Sequence, residues 1–281
     1  MTVLVTGSNG MIGTELVKAL ANNGYIVIGV DKTPNNLIAA NYIHFQVSLQ
    51  DRAKVSQILQ EYNVDRIIHL AALAHTSSEK DLSWDHYYYV NVECARNLFE
   101  CAHEIPVLFI STVDVYGFYD GKRAVNVDTP IEPISKYGRS KAQAEEECKK
   151  LPHYMIFRFS PVYTDTIKRD IQKRYYLKYP NIAYQVGKGT AYEVLNVKRA
   201  VAEMENWCKE EPKNDIRIIK DEKPLWTPDY IQAEKAEGRA KTVLHFPQWM
   251  VNCGYGMLKA VMGENEKTYL LNKVVHPLRS E

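Results

Sequence analysis

An α/β fold on a doubly wound parallel sheet is what this 281-residue chain predicts, and three observations predict it. Short β-branched runs alternate with amphipathic helical stretches through the first half. The first run feeds straight into a glycine-rich turn and a helix, and an acid closes the second run. After Tyr163 the text turns polar and tyrosine-rich, punctuated by Pro180, Pro212, Pro224, Pro228 and Pro247. That change predicts a second, smaller, mixed α/β region.

The strands read in order as Val3 to Val5, Ile26 to Ile28, Ile43 to Phe45, Arg66 to Ile68, Val107 to Ile110 and Tyr154 to Phe159. Continuous apolar runs of this kind suit strands covered on both faces. Between them, Met11 to Ala21 sets Ile12, Leu16, Ala19 and Leu20 on one helical face, and Val55 to Tyr62 adds Ile58 and Leu59. Trp84 to Ala102 carries a stripe of Tyr88, Val92, Ala95 and Phe99, with Tyr87, Tyr88 and Tyr89 divided between core and a helix–helix contact. A further helix runs from an N-cap at Ser135 to about Lys150. Tyr192 to Trp207 reads as a strand–helix unit that returns to the sheet. The main domain is therefore expected at residues 1–163 and 190–212, and the smaller region at 164–189 and 213–281.

Bulk properties bound the function classes. Charged residues make up 25% and apolar residues 46%, and the net charge is +1, which gives no reason to expect nucleic acid or an anionic membrane as partner. The apolar opening is too short for a signal peptide, and no run approaches the ~20 residues of a membrane span. Five scattered cysteines without a C-x-x-C suit reduced thiols. A cytoplasmic protein is the expectation.

The turn T-G-S-N-G-M-I-G, Thr6 to Gly13, assigns each glycine a task. Gly7 permits the tight turn, Gly10 lets backbone approach a pyrophosphate, and Gly13 lets helix pack on strand. Asn9, Met11 and Ile12 complete the expected phosphate-binding turn, and the helix start offers free N–H groups and a positive dipole end. Eighteen residues past Gly13, Asp31 can accept both ribose hydroxyls and repel a 2′-phosphate, which favours NAD over NADP. Neighbouring Lys32 could instead pair with that phosphate.

In Tyr137-Gly-Arg-Ser-Lys141 a phenol and an ammonium stand at i and i+4 on one helical face. A nearby ammonium stabilises phenolate, as a general acid/base requires. The same spacing recurs at Tyr184, Tyr255 and Tyr269, so position selects Tyr137: it opens the helix after the fifth strand, near the carboxyl ends where such sheets bind ligands.

With T-G-x-x-G-x-x-G, I-H-L-A-A (Ile68 to Ala72), Asn91-Val92, S-T-x-x-V-Y-G and Y-x-x-x-K in order, the chain resembles the extended short-chain dehydrogenase/reductases, the NAD-dependent epimerase/dehydratase group. The resemblance implies a Rossmann-type domain for NAD, a C-terminal region capping a nucleotide-sugar site, and a homodimer. It implies Thr112, Tyr137 and Lys141 as catalytic residues and Asn91 as their support. It places Leu49, Leu70, Ala71, Ala72, Ser111 and Ser160 beside the cofactor, and Leu73 and His75 with Thr112, Asp114 and Tyr137 beside the substrate. Tyr137 would exchange a proton with a sugar hydroxyl, Lys141 would hold the nicotinamide ribose, and Thr112 would orient the sugar oxygen.

The leading function implied is a nucleotide-sugar epimerase, a 4-epimerase, of the kind found in polysaccharide pathways. A reductase or dehydrogenase of a keto nucleotide sugar comes next, then a 4,6-dehydratase, and from another class a non-catalytic NAD(H) sensor or assembly subunit. Asp114 decides how the dehydratase is weighed. It stands where water-eliminating relatives carry an acid, yet the acid some carry just before it is Val113 here, and its plainer reading is a solvated or turn-bonded aspartate. Pro161-Val162-Tyr163 lacks the asparagine that relatives place there. His69 and His75 suggest no metal, lacking a third ligand nearby. Arg158 and Arg199 read as phosphate holders or surface ion pairs.

Overall fold

Val3, Leu4 and Val5 are stripped of solvent on both sides, and so are Val27, Ile28, Ile67, Ile68, Val107, Leu108 and Phe109. Strands with no exposed face must sit inside a sheet covered by helices twice over. The structure, a computed structural model, describes residues 1–35, 37–74 and 82–281. Its strands are β1 (Thr2–Thr6), β2 (Ile26–Asp31), β3 (Tyr42–Gln46), β4 (Arg66–His69), β5 (Val107–Thr112) and β6 (Tyr154–Phe159). With the later strand Asp215–Ile219 they form a seven-stranded sheet, ordered from that strand through β6, β5, β4, β1 and β2 to β3. The pairs β3–β2, β2–β1, β1–β4 and β4–β5 are parallel.

The helices are α1 (Met11–Asn22), α2 (Arg52–Glu61), α3 (Trp84–Tyr88), α4 (Cys94–Ala102) and α5 (Lys136–Cys148). On one face, Leu4, Ile28, Ile67, Phe109 and Ile156 share a core with Val55 and Ile58 of α2, Leu98 and Phe99 of α4, and Ala144 and Cys148 of α5. The residues that alternate with them point to the opposite face, where α1 packs on β1 and β2 and on the helix Val197–Lys209. The chain from Trp84 to Ala102 is helical throughout, as its stripe predicts, but a π-turn at Tyr89–Glu93 separates α3 from α4.

Two compact units divide the chain. One comprises Met1–Val113, Lys136–Arg158 and Val197–Arg217, and the other Asp114–Ser135, Phe159–Asn196 and Ile218–Glu281. Within the second, Tyr175, Tyr176, Ala183, Ile231 and Ala240 form one small core, and Ile171, Tyr192, Val194 and Leu225 another. Its three-stranded sheet orders Thr242–Phe246, Ile182–Val186 and Tyr176–Lys178. The return of Tyr192 to Trp207 to the main sheet needs correction: its strand, Leu195–Asn196, pairs with Val162–Tyr163 apart from that sheet, and Asp215–Ile219 joins the sheet instead. A run of D-I-R-I-I carries two charges, and an edge strand tolerates them where a central one would not. Among the described residues no helix is long and apolar enough to cross a membrane, and all five cysteines are free thiols.

Candidate active site

The order β2–β1–β4 reverses the direction of winding at β1, which opens a crevice beyond the carboxyl ends of β1 and β4. The glycine turn fills the start of that crevice. Gly7 has φ +68°, and a Cβ there would stand 2.8 Å from the Ala71 amide nitrogen, so the turn lies against the chain leaving β4. A Cβ on Gly13 would meet the Gly7 carbonyl oxygen at 2.2 Å. Gly10 caps α1 with extended backbone and no side-chain hydrogen bond to the helix, so the first amides face outward without a capping oxygen. Such a start, with no Cβ in its way, fits a pyrophosphate. Asn9 lends its Nδ2 to the Thr33 and Pro34 carbonyls, while its buried Oδ1 has no partner among the described residues. Met11 and Ile12 form the first turn of α1 and are half-buried.

Asp31 ends β2 and is half-buried. Its carboxylate accepts from the Asn9 amide at 3.2 Å and from the Thr33 amide and hydroxyl at 3.0 and 2.8 Å. Those bonds tie the acid to the glycine turn. Leu49 packs in the core beside α2 and α4, and its carbonyl accepts from Asn97.

Beyond β4, the Leu70 amide bonds the Thr6 carbonyl and the Ala71 amide bonds the Thr6 hydroxyl. That hydroxyl also shares a hydrogen bond with His69 Nδ1 at 2.7 Å. His69 is fully buried, and burial first, then the Lys141 charge, lowers its pKa to about 3. The ring is neutral, and its Nε2 meets no partner among the described residues.

Asn91 sits in the π-turn, a distortion frequent at functional sites. Its buried amide grips Leu73, accepting from the amide at 2.7 Å and donating to the carbonyl at 3.1 Å. It also donates to Ser140 Oγ at 2.8 Å, and Ser140 donates in turn to the Tyr137 carbonyl. One asparagine thus joins the strand-exit loop to the first turns of α5. Ala72 and Leu73 lie on that loop, half-buried; His75 lies outside the described residues.

Tyr137 and Lys141 open α5 one turn apart. Lys141 is 2% exposed, its ammonium 4.0 Å from the centre of the Phe109 ring. Burial lowers its pKa to about 7, against the opposing pull of Glu145 and, less, Cys148. Thr112 is the last residue of β5 and half-buried. The preceding Ser111 donates to Glu145 Oε1 at 2.5 Å, so α5 is fastened to the strand that ends in Thr112. Glu145 also accepts from Arg158 Nε at 3.1 Å and Nη2 at 2.8 Å, all within the interior. Arg158 therefore holds neither a phosphate nor a surface pair; Arg199 pairs with Glu203 at 3.8 Å.

Asp114, the first residue of the second unit, corrects the expectation of a solvated or turn-bonded aspartate. Its carboxylate accepts from Tyr269 at 2.8 Å, from Ser135 and from Lys273. Burial pushes the carboxyl up, but Lys273 and the hydrogen bonds hold it below the usual range. Ser160, in the same unit, is buried, and its amide donates to the Ile219 carbonyl.

Residues 3–200 match the model of the NAD dependent epimerase/dehydratase family. The chain belongs to that family. Among curated relatives it is 32% identical over 166 residues to UDP-glucose 4-epimerase 2 of Arabidopsis thaliana, covering 53% of this chain and 46% of that protein. It is 28% identical over 166 residues to a probable dTDP-glucose 4,6-dehydratase of Sinorhizobium fredii, covering 52% and 47%. The chain thus spans about half the length of these family members. The solved UDP-glucuronic acid 4-epimerase of Bacillus cereus in complex with NAD superposes with a TM-score of 0.70 at 23% identity, over 88% of this chain and 87% of that one; at that identity it is the family fold that is shared. Two buried groups escaped the reading of the sequence: Glu145, whose signal is an acid one turn past Lys141, and Ser140, whose signal is a hydroxyl just before it.

Proposed function

We propose that the chain is an NAD-dependent nucleotide-sugar epimerase, a 4-epimerase, that uses Tyr137 as its acid/base. The observation that carries this reading is Lys141, a lysine buried one turn from Tyr137 on a helix fastened to the strand that ends in Thr112. A buried cation costs several kcal/mol of solvation and has no structural need to be there. It has a use beside a phenol that must lose its proton near neutrality.

Gly7, Asn9, Gly10, Met11, Ile12 and Gly13 would hold the pyrophosphate, Asp31 the adenosine ribose, and Leu70, Ala71 and Ala72 would pass beneath the cofactor. Lys141 would hold the nicotinamide ribose, with Asn91 and Ser111 fixing the walls. Bound NAD supplies reversible hydride acceptance at a sugar carbon. Tyr137 takes the proton from the hydroxyl on that carbon and later returns it. Thr112 bonds the same oxygen and keeps it aimed at the phenol. Asp31 favours NAD by its negative charge. The relatives named for 4-epimerase activity support the reaction class, and a cytoplasmic homodimer belongs to the same reading.

The dehydratase alternative draws support from the dTDP-glucose relative, but Asp114 speaks against it. An acid already bonded to Lys273, Ser135 and Tyr269 has its lone pairs engaged and is a poor proton acceptor. Incubating the NAD-loaded protein with UDP-, GDP-, dTDP- and CDP-sugars and resolving products by mass and NMR tests the reading. An epimer of unchanged mass without net NADH formation is expected. A product lighter by one water, stoichiometric consumption of cofactor, or no reaction with any sugar would defeat it.

A further inference from the structure

Glu145 is a glutamate with no exposed surface, on a helix whose sequence K-Y-G-R-S-K-A-Q-A-E-E-E-C reads as polar. Its two neighbours in the run, Glu146 and Glu147, do not share its burial. A buried carboxylate bonded to a buried guanidinium is no bargain for stability, since well-packed apolar side chains would serve as well. Its place therefore asks for another explanation. Both oxygens are committed: Oε1 accepts from Ser111 at 2.5 Å and Arg158 Nε at 3.1 Å, and Oε2 accepts from Arg158 Nη2 at 2.8 Å. So held from β5 and β6, the carboxylate cannot rotate away. It lies one helical turn from Lys141, on the same face of α5.

Among the described residues that act on Lys141, Glu145 is the one carboxylate. From β4 comes His69, whose ring is neutral. From β5 comes the uncharged ring of Phe109. On α5, Cys148 stays a thiol because burial pushes its pKa up, and Tyr137 is the proposed acid/base. We propose that Glu145 is a positioning residue for the reaction, and that its carboxylate, clamped by Arg158 and Ser111, keeps the buried Lys141 ammonium protonated beside Tyr137. The inference rests on the role given to Tyr137 and Lys141 in the proposed function. Lys141 is poised for such control: burial has already brought it down to about 7, and Glu145 is the largest opposing influence.

The test reads Lys141 directly. The full chain, labelled with 13Cε-lysine and assigned by comparison with Lys141→Arg, is titrated by NMR as wild type, as Glu145→Gln and as Glu145→Gln/Arg158→Leu. The double variant removes the guanidinium that the single one orphans, so a folded protein remains for measurement if the single variant does not fold; near-UV circular dichroism establishes folding. The Lys141 pKa should fall by about one unit or more in each folded variant, and the alkaline limb of kcat/KM should move acidward with it. A Lys141 pKa equal to the wild-type value in a folded variant overturns the proposal. A wild-type chain inert toward every nucleotide sugar would instead defeat the proposed function, and the lysine titration would still be measured, so the two failures are distinct.

Discussion

Lys273, on the last helix of the chain, donates to the carboxylate of Asp114, two residues past the strand that ends in Thr112. Tyr269, one turn earlier on that helix, donates to the same carboxylate oxygen. The pair thus makes an anchor of an acid that the sequence leaves open as a base.

Breaking the anchor should unfold the second unit more easily. Asp114→Asn leaves Lys273, in a half-buried pair, without its anion and should cost about 1–3 kcal/mol, read by chemical denaturation. Asp114→Asn/Lys273→Met should cost less than the sum of the single changes. The carboxyl titrates below its ordinary value in the folded chain, so its contribution is present above the unfolded pKa of 3.8 and is lost as pH falls through the lower folded value. Where the variant still folds, its product should be the wild-type product. A switch from a dehydrated product to none would show that Asp114 does chemistry after all.

His69 makes the main domain sensitive to mild acid. Its folded pKa of about 3 lies below the ordinary imidazole value of 6.5, so the unfolded chain binds a proton that the folded chain refuses. Stability from this group is complete above pH 6.5 and falls as pH drops from there toward 3, by up to about 1.4 kcal/mol per pH unit. His69→Asn places an oxygen near Nδ1 to accept from Thr6 and removes the titration. Its stability should fall less steeply over that window, in urea melts at stepped pH; parallel slopes for both proteins would rule the mechanism out.

The glycine cradle predicts a loss of cofactor without a loss of site chemistry. Gly13→Ala sets a methyl 2.2 Å from the Gly7 carbonyl oxygen, and backbone at the turn must move. NAD affinity should drop at least about tenfold by calorimetry, since a displaced helix start no longer points its amides at one place. Wild-type affinity would mean that the pyrophosphate lies elsewhere.

Much of this was legible in the residues themselves. The first six strands are apolar runs because both faces are covered, and that pattern is local. The glycine turn is partly local: Gly10 and Gly13 meet backbone of the same turn, whereas Gly7 meets Leu70 and Ala71 beyond β4. What the sequence hid depends on partners far along the chain. Asp114 finds Tyr269 and Lys273 across 155 and 159 residues, and no local pattern announces such bonds. Glu145 reads as a solvated helical acid until Arg158, one strand later, is seen to face it. The strand Asp215–Ile219 carries charges that mask its period, and the π-turn around Asn91 interrupts a stripe that reads as one helix.

Tyr137→Phe removes one oxygen from the proposed acid/base and little else. Measured together, kcat with a reactive nucleotide sugar and the dissociation constant of NAD probe it most directly. Turnover should fall by about 10²–10⁴-fold while NAD binds as in the wild type. Turnover close to wild type in this variant would contradict the assignment of the phenol.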